Sequence, residues 1–163
     1  MDSLNVVLER SKKEYTPEEK ECLCAEKNKI YLGFLTEMTP KDVSQDTRDT
    51  LGELRRRGIK IAIGSSSKNT HFVLHQIGLE GVFDAIADGN EIIHAKPDPE
   101  IFLLAASKIG QSPDSCLVIE DAEAGILAAN RGGFHSVGIS WAAASPNKEY
   151  AIQRLSDLLP LLG

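Results

Sequence analysis

The chain of 163 residues lacks the features that would place it in or across a membrane. No apolar run approaches the roughly twenty residues that a membrane-spanning helix requires. The first residues, MDSLNVVLERS, also lack the basic, apolar and small-residue order of a secretory signal. The chain has 3 cysteines, and an odd number in a chain of this length does not predict a disulfide framework. We therefore expect a cytoplasmic protein with free thiols and no membrane partner.

Positive charge is also scarce. The chain has 18 Lys and Arg residues against 24 Asp and Glu residues, which gives a net charge of −6 at pH 7. This balance argues against nucleic acid or an anionic membrane surface as the main partner. With 42% hydrophobic residues, the chain can still bury the core of one ordinary domain.

The pattern of the sequence changes near residue 39. Before this point it predicts helices only, and Thr16-Pro17-Glu18-Glu19 has the form of a capping box that begins a helix toward Phe34. We interpret residues 1–38 as a partial helical cap. From residue 39 to residue 163, short apolar strands alternate with helices, which predicts an α/β fold with a parallel sheet covered by helices on both faces. The predicted strands are 59–63, 84–87, 116–119 and 136–139, and the predicted helices are 47–57, 70–77, 99–109 and 123–130.

The first candidate site follows the first predicted strand, where the sequence reads Gly64-Ser65-Ser66-Ser67-Lys68-Asn69. Ligands of such folds bind at the carboxyl ends of the strands. Hydroxyl groups and backbone N–H groups before a helix N-terminus suit a phosphate group, and Lys68 adds positive charge. The alternative is a plain turn in which Ser67 or Asn69 caps the next helix.

The second candidate is Lys96, which precedes Pro97 and the next predicted helix. The proline favours an extended backbone at Lys96, so that its ammonium group can project into the cleft at the strand ends. There it could neutralise the charge of phosphate and carboxylate groups. The alternative is an ordinary exposed lysine.

The third candidate is the pair Glu120-Asp121, which ends an apolar predicted strand. Two adjacent carboxylates suit a hydrated divalent cation, because Mg²⁺ keeps several waters and uses few protein carboxylates. The alternative, that Asp121 caps the next helix, explains Asp121 but leaves Glu120 unexplained.

These three signals, in this order, resemble the motifs of the haloacid dehalogenase-like phosphotransferases. Ser65 matches the hydroxyl of the second motif, Lys96 the lysine of the third motif, and Glu120-Asp121 the acidic fourth motif. The resemblance implies a Rossmann-like core of three layers. It also implies that Ser65 and Lys96 are catalytic residues that bind the transferring phosphoryl group, and that Glu120 and Asp121 hold Mg²⁺.

Within this superfamily the chain is similar to the β-phosphoglucomutase group. The similar segments include Thr39-Pro40-Lys41-Asp42-Val43, Phe83-Asp84-Ala85-Ile86-Ala87-Asp88 and Ala124-Gly125-Ile126. The resemblance implies a small sugar phosphate as substrate, interconverted between β-glucose 1-phosphate and glucose 6-phosphate through glucose 1,6-bisphosphate. It assigns substrate contacts to the loop residues Ser66, Ser67, Lys68 and Asn69, and to Lys27 and Ser3 of the cap. The alternatives are a sugar-phosphate phosphatase, or a catalytically silent fragment that works as a partner subunit.

One motif of this family is absent, because no Asp-x-Asp occurs anywhere in the 163 residues. In the family this motif supplies the nucleophile and follows the first, central strand of the sheet. We therefore expect the first strand, the hinge and the front half of the cap to lie upstream of Met1. A core without its central strand would expose two edges of a parallel sheet, through which the chain could self-associate.

Overall fold

The computed structural model describes residues 15–162, and it divides the chain into two compact units between Met38 and Thr39. The described part of the first unit is one helix, α1 (Pro17–Glu37), which begins at the predicted capping box. The hydroxyl of Thr16 accepts a hydrogen bond from the Glu19 N–H at 3.2 Å, and the Glu19 carboxylate accepts one from the Thr16 N–H at 2.9 Å. Neither α1 nor any other described helix is both long and apolar enough to cross a membrane.

The second unit alternates strands and helices as the sequence predicts. Its elements are α2 (Gln45–Arg56), β1 (Ala62–Gly64), α3 (Thr70–Gln76), β2 (Ala85–Ala87), α4 (Glu100–Lys108), β3 (Leu117–Glu120), α5 (Glu123–Arg131), β4 (His135–Gly138) and β5 (Tyr150–Ala151). Short 3₁₀ helices occur at Pro40–Asp42, Pro113–Ser115, Ser140–Ala144 and Leu155–Leu158.

The strand β1 begins later than the predicted strand 59–63, because the first residues of the predicted strand make hydrogen bonds outside the ladder. Gly58 has a positive φ of 73°, and the Ile59 N–H donates to the Leu54 carbonyl at 3.0 Å, so Ile59 closes the end of α2. The Ile61 N–H donates to the Asp84 carboxylate at 2.8 Å instead of to a strand. The apolar run therefore contributes three residues to the ladder, from Ala62 to Gly64.

The strands form two parallel sheets. In one, β1 pairs with β2, and in the other the order is β3-β4-β5. Within the described residues, no ladder joins β1 to β3. The pair β4-β5 was not predicted, because Tyr150–Ala151 is too short to stand out as a strand in the sequence.

Helices cover both faces of these sheets and make one layered core. On one face, α4 and α5 contribute Ile101, Phe102, Ala128 and Ala129 to a cluster that also contains Ala87 of β2 and Val118 of β3. On the other face, one cluster contains Leu51 of α2 and Leu74 of α3, and a second contains Val137 of β4 and Leu158. Leu155 packs against both of the latter clusters. The two sheets are thus joined through shared layers of side chains, and this arrangement is the three-layer α/β fold that the sequence predicts.

Candidate active site

Lys96 lies where the ends of β1 and β3 approach each other. Its Nζ donates a hydrogen bond to the carbonyl of Gly64, the last residue of β1, at 3.2 Å. The same ammonium group forms an ion pair with the carboxylate of Glu120, the last residue of β3. It also lies 4.5 Å from the centre of the Phe102 ring, which favours a cation. With 18% of its side chain exposed, Lys96 is not the ordinary surface lysine of the alternative interpretation.

Glu120 is held by contacts on both of its carboxylate oxygens. One oxygen contacts Lys96, and the other accepts a hydrogen bond from the Asp121 N–H at 3.1 Å. The side chain passes against the backbone of Gly125 in α5, so closely that a Cβ atom at this position would collide with the carboxylate. With 9% of its side chain exposed, Glu120 is nearly buried and is oriented toward the ammonium group.

The segment Ser65–Asn69 forms a tight loop after β1. The Ser67 N–H donates to the Ser65 hydroxyl at 3.2 Å, and the Asn69 N–H donates to the Ser67 hydroxyl at 3.1 Å. The hydroxyls of Ser65 and Ser67 therefore stabilise the turn through its backbone N–H groups. Asn69 precedes α3 without a side-chain capping bond. The side chains of Ser66 and Lys68 are exposed, and within residues 15–162 neither makes a hydrogen bond or ion pair, so both are available to a ligand.

The loop after β2 supports this segment, and sequence reasoning did not assign it a role. The Gly89 N–H donates to the Ser67 carbonyl at 3.1 Å, and the Asn90 side-chain amide donates to the Lys68 carbonyl at 3.1 Å. A side chain at Gly89 would collide with the backbone of Ser66. The available sequence signal was the turn composition Asp88-Gly89-Asn90 directly after a strand, but the packing of the two loops depends on the tertiary fold.

Asp121 differs from Glu120 because its side chain is exposed and makes no hydrogen bond or ion pair within the described residues. The N-cap residue of α5 is Ala122, directly before Glu123, so Asp121 does not cap this helix. Its free carboxylate can bind a cation directly, while Glu120, engaged by Lys96, can do so through water. In the described part of the chain, no third His, Cys, Asp or Glu side chain lies close enough to both carboxylates to complete a set of three protein ligands. The donor set therefore fits a Mg²⁺ ion that keeps most of its waters.

The segment before Lys96 is fixed by Glu100, the first residue of α4. Its carboxylate accepts hydrogen bonds from the N–H groups of Ile93 at 3.0 Å and His94 at 2.8 Å. These N–H groups, His94 first, hold the pKa of the Glu100 carboxyl below its usual range. Glu100 also forms a group of three with His94 and Asp98, but the Asp98 carboxylate already accepts the Glu100 N–H at 3.0 Å. These contacts explain why the three side chains lie together, because their hydrogen bonds fix the segment that carries Lys96.

The structure therefore brings together the predicted residues of the second unit around the ends of β1 and β3. Two further predicted residues belong to the other unit. Lys27 lies on the exposed surface of α1. Ser3 lies outside the described residues, and its predicted contact with substrate stays a prediction.

The sequence and the fold are similar to known phosphate-handling proteins. The family model of haloacid dehalogenase-like hydrolases matches residues 6–133. The chain is 36% identical to β-phosphoglucomutase from Bacillus subtilis strain 168 over 144 residues, which cover 88% of this chain and 64% of that protein. It is 38% identical to a fructose-1-phosphate phosphatase from Escherichia coli K12 over 84 residues, which cover 52% of this chain and 45% of that protein.

A solved structure gives the same result for the fold. The crystal structure of β-phosphoglucomutase from Clostridium difficile superposes with a TM-score of 0.88 at 34% sequence identity. The match covers 99% of this chain and 74% of that one. The chain spans less than two thirds of the length of the two curated relatives, 64% of one and 45% of the other.

Proposed function

Because the chain belongs to the haloacid dehalogenase-like hydrolase family, we propose that it binds the phosphoryl groups of a small sugar phosphate, as part of a β-phosphoglucomutase-like phosphotransferase. The observation that carries this proposal is the position of Lys96. Its ammonium group contacts the last residue of β1 and the last residue of β3. The residues next to these strand ends are Ser65, which begins the phosphate loop, and Asp121, which carries the free carboxylate.

In the proposed reaction, β-glucose 1-phosphate and glucose 6-phosphate interconvert through glucose 1,6-bisphosphate. Ser65 and Lys96 bind the transferring phosphoryl group, and the positive charge of Lys96 offsets the charge on its oxygens. The exposed side chains of Ser66 and Lys68, with Ser67 and Asn69 of the same loop, bind the distal phosphoryl group. Mg²⁺, held by Glu120 and Asp121, supplies additional charge neutralisation at the transferring group when it is bound.

The covalent step requires a nucleophile in line with the phosphorus atom. In the family this group is the first aspartate of an Asp-x-Asp motif, which this sequence does not contain. We therefore propose that these 163 residues bind sugar phosphate but do not transfer the phosphoryl group by themselves. A chain that binds the substrate without transferring the phosphoryl group could work as a partner subunit, which is the alternative named in the sequence analysis.

A phosphatase is the second candidate function, and it is favoured by the similarity to a fructose-1-phosphate phosphatase over 84 residues. The two functions differ in their products. A phosphatase releases inorganic phosphate without needing a bisphosphate, whereas a mutase returns a sugar phosphate and depends on glucose 1,6-bisphosphate. The lysine-bearing tripeptide Ser67-Lys68-Asn69, which in the resemblance holds a second phosphoryl group, favours the mutase.

Binding can be tested by titration calorimetry with glucose 6-phosphate in the presence of Mg²⁺. Lys68→Met removes one charged contact to the distal phosphoryl group, and we expect the dissociation constant to rise about tenfold or more. The matched control is Lys41→Met. Lys41 is also exposed, but it lies away from the phosphate loop. Its neighbour Pro40 accepts a hydrogen bond from Arg48, and Arg48 also donates to the carbonyl of Ile77. Ile77 follows the last residue of α3, and the phosphate loop precedes the first residue of that helix. The control should bind as the parent chain does.

Two results would contradict the proposal. If the parent chain and Lys68→Met bound glucose 6-phosphate with equal affinity, the proposed role of the loop in binding phosphate would be wrong. Robust interconversion by the pure 163-residue chain, followed by a coupled assay for glucose 6-phosphate and verified by mass spectrometry, would show that the nucleophile is not missing.

A further inference from the structure

A small pocket opens beside α2, in a different part of the second unit from the candidate active site. Its volume is about 270 Å³, and it is lined by four residues of α2 and two of the segment that joins α3 to β2: Arg48, Leu51, Gly52, Arg55, Leu79 and Val82. That segment follows the end of α3, whereas the phosphate loop precedes the start of the same helix. The pocket is therefore separate from the proposed phosphate site.

The floor of this pocket is apolar. Leu51 and Leu79 are mostly buried and belong to one hydrophobic cluster, against which Val82 also packs. Gly52 follows Leu51 in α2 and has no side chain to cover this part of the cluster. The pocket thus offers a ligand apolar surface that the chain itself leaves open.

The packing of the described residues does not require glycine at position 52. Gly52 lies inside α2, where glycine destabilises a helix relative to alanine. Its φ is not positive, and a Cβ atom built there has no atom within 4 Å. Neither the backbone nor a close contact therefore excludes a side chain. The missing side chain does keep the pocket open, so we attribute the glycine to the pocket.

Two positive charges flank the apolar floor. Arg48 and Arg55 are seven residues apart in α2, which places them two helical turns, or about 10 Å, from each other. Their hydrogen bonds among the described residues all go to backbone carbonyls. Within residues 15–162 neither guanidinium group pairs with a carboxylate, so both charges are uncompensated.

Arg55 also keeps one edge of its guanidinium group unused. Its Nη1 donates to the carbonyls of Gly81 at 3.1 Å and Val82 at 2.7 Å. In the part of the chain that the structure describes, its Nε and Nη2 make no hydrogen bond. These two nitrogens form an edge that can bind a carboxylate through two parallel hydrogen bonds. The bonds through Nη1 hold the group in place without occupying this edge.

We propose that this pocket binds a small carboxylate with an apolar body. The carboxylate binds to the free edge of Arg55, and the apolar body lies on Leu51, Leu79 and Val82 in the space left by Gly52. The positive charge of Arg48 adds to the attraction. A volume of about 270 Å³ lies below the roughly 300–1,000 Å³ of sites for drug-sized molecules, so the ligand is small.

Titration of the 163-residue chain with phenylpropionate, followed by residue-resolved NMR spectra, tests this inference. We expect the amide signals of Gly52, Leu79 and Val82 to shift in a saturable manner, while those of Ser66 and Lys68 stay unchanged. The uncharged phenylpropionamide should bind about tenfold more weakly or worse, because it cannot form the charged pair. Glucose 6-phosphate should not displace phenylpropionate, so the result does not depend on the proposed function.

Gly52→Leu separates the pocket from the stability of the fold. The leucine side chain fills the open space, and we expect the affinity for phenylpropionate to fall tenfold or more. The variant should unfold at the same urea concentration as the parent chain or at a higher one, because leucine forms helices better than glycine. The matched control is Gly33→Leu in α1, where a Cβ atom also has no atom within 4 Å. This control should bind phenylpropionate as the parent chain does.

Three outcomes would overturn the inference. The first is the absence of a saturable shift up to tens of millimolar phenylpropionate. The second is equal affinity for the carboxylate and its amide, because the arginine would then play no part. The third is undiminished binding by Gly52→Leu. If this variant instead changed the association state of the chain, measured by sedimentation, the glycine would serve a contact between copies and not a ligand.

Discussion

At the scale of single residues, the site depends on a cation that holds a nearly buried carboxylate. Glu120 is 9% exposed at its side chain, and an ionised group in such a position is costly unless it is paired. Lys96 supplies the pairing charge, and the Asp121 N–H supplies a hydrogen bond. The pair is therefore a structural requirement of the strand ends as well as part of the proposed phosphate site.

The position of this carboxylate depends on the absence of a side chain at Gly125. Replacing glycine by alanine inside a helix ordinarily stabilises a protein by about 1 kcal/mol. At Gly125 in α5, the new Cβ atom would collide with the Glu120 carboxylate and move it away from Lys96. We expect Gly125→Ala to lower the free energy of unfolding by about 1–3 kcal/mol, measured by urea denaturation.

Gly52 in α2 is the matched control, because no atom lies within 4 Å of a Cβ atom built there. Gly52→Ala should raise the free energy of unfolding by about 0.5–1 kcal/mol through helix propensity alone. If both variants were stabilised, the close packing of Glu120 against α5 would be wrong.

The residues that sequence reasoning identified share one property. Ser65, Lys96 and Glu120 are polar residues at or near the ends of apolar runs or next to a helix start, so their positions stand out from the local pattern. The roles of Gly125 and Asn90 do not appear in the local pattern. Gly125 meets the Glu120 side chain only through the turn that leads from β3 into α5, and Asn90 meets the Lys68 carbonyl of a different loop.

At the scale of elements, the start of α4 fixes the segment that carries Lys96. The Glu100 carboxylate accepts the N–H groups of His94 and Ile93, which lower its pKa. The folded pKa lies below the unfolded value of about 4.3, so ionised Glu100 stabilises the fold above that pH. This stabilisation is lost as the pH falls through the folded pKa. We expect Glu100→Gln to be less stable than the parent chain near neutral pH, and the difference to shrink in acid.

Urea midpoints measured from about pH 7 down to pH 3 would check this expectation. Glu53→Gln provides a comparison in a different element, because Arg56 and Arg57 lower the pKa of Glu53 to about 2. The contribution of Glu53 is likewise present above the unfolded pKa and declines toward pH 2. A difference between Glu100→Gln and the parent chain that stayed constant over the whole range would rule out the ionised clamp.

Most elements were predictable because each begins or ends with a strong local signal. The capping box at Thr16 and the glycine at position 58 mark the helix ends that the structure contains. The strand bounds were less predictable. Hydrophobicity extends the first strand back to Ile59, but the Ile59 N–H closes α2, and hydrogen bonding decides which residues join a ladder. The two-residue strand β5 exists only because β4 offers it an edge.

At the scale of the whole molecule, the sequence predicted the layers but not how they remain joined. The absent Asp-x-Asp motif led to the expectation of a core without its central strand. The described strands form two sheets, with no ladder between β1 and β3, and whether a further strand belongs to the core stays a prediction. No sequence pattern could show that side chains from both sheets would pack into one cluster, because Ala87 and Val118 meet only through α4 and α5.

This shared cluster predicts that the two sheets unfold together. Ile101 in α4 is fully buried in the cluster, and Ile101→Ala should lower the free energy of unfolding by about 2–5 kcal/mol. Because the cluster touches both sheets, slowly exchanging amides of β2 and of β4 should lose protection equally in a residue-resolved hydrogen-exchange experiment. Leu103→Ala, at a position 41% exposed in the same helix, should have a much smaller effect. Loss of protection confined to β2 would instead mean that the sheets are held independently and that the cluster does not couple them.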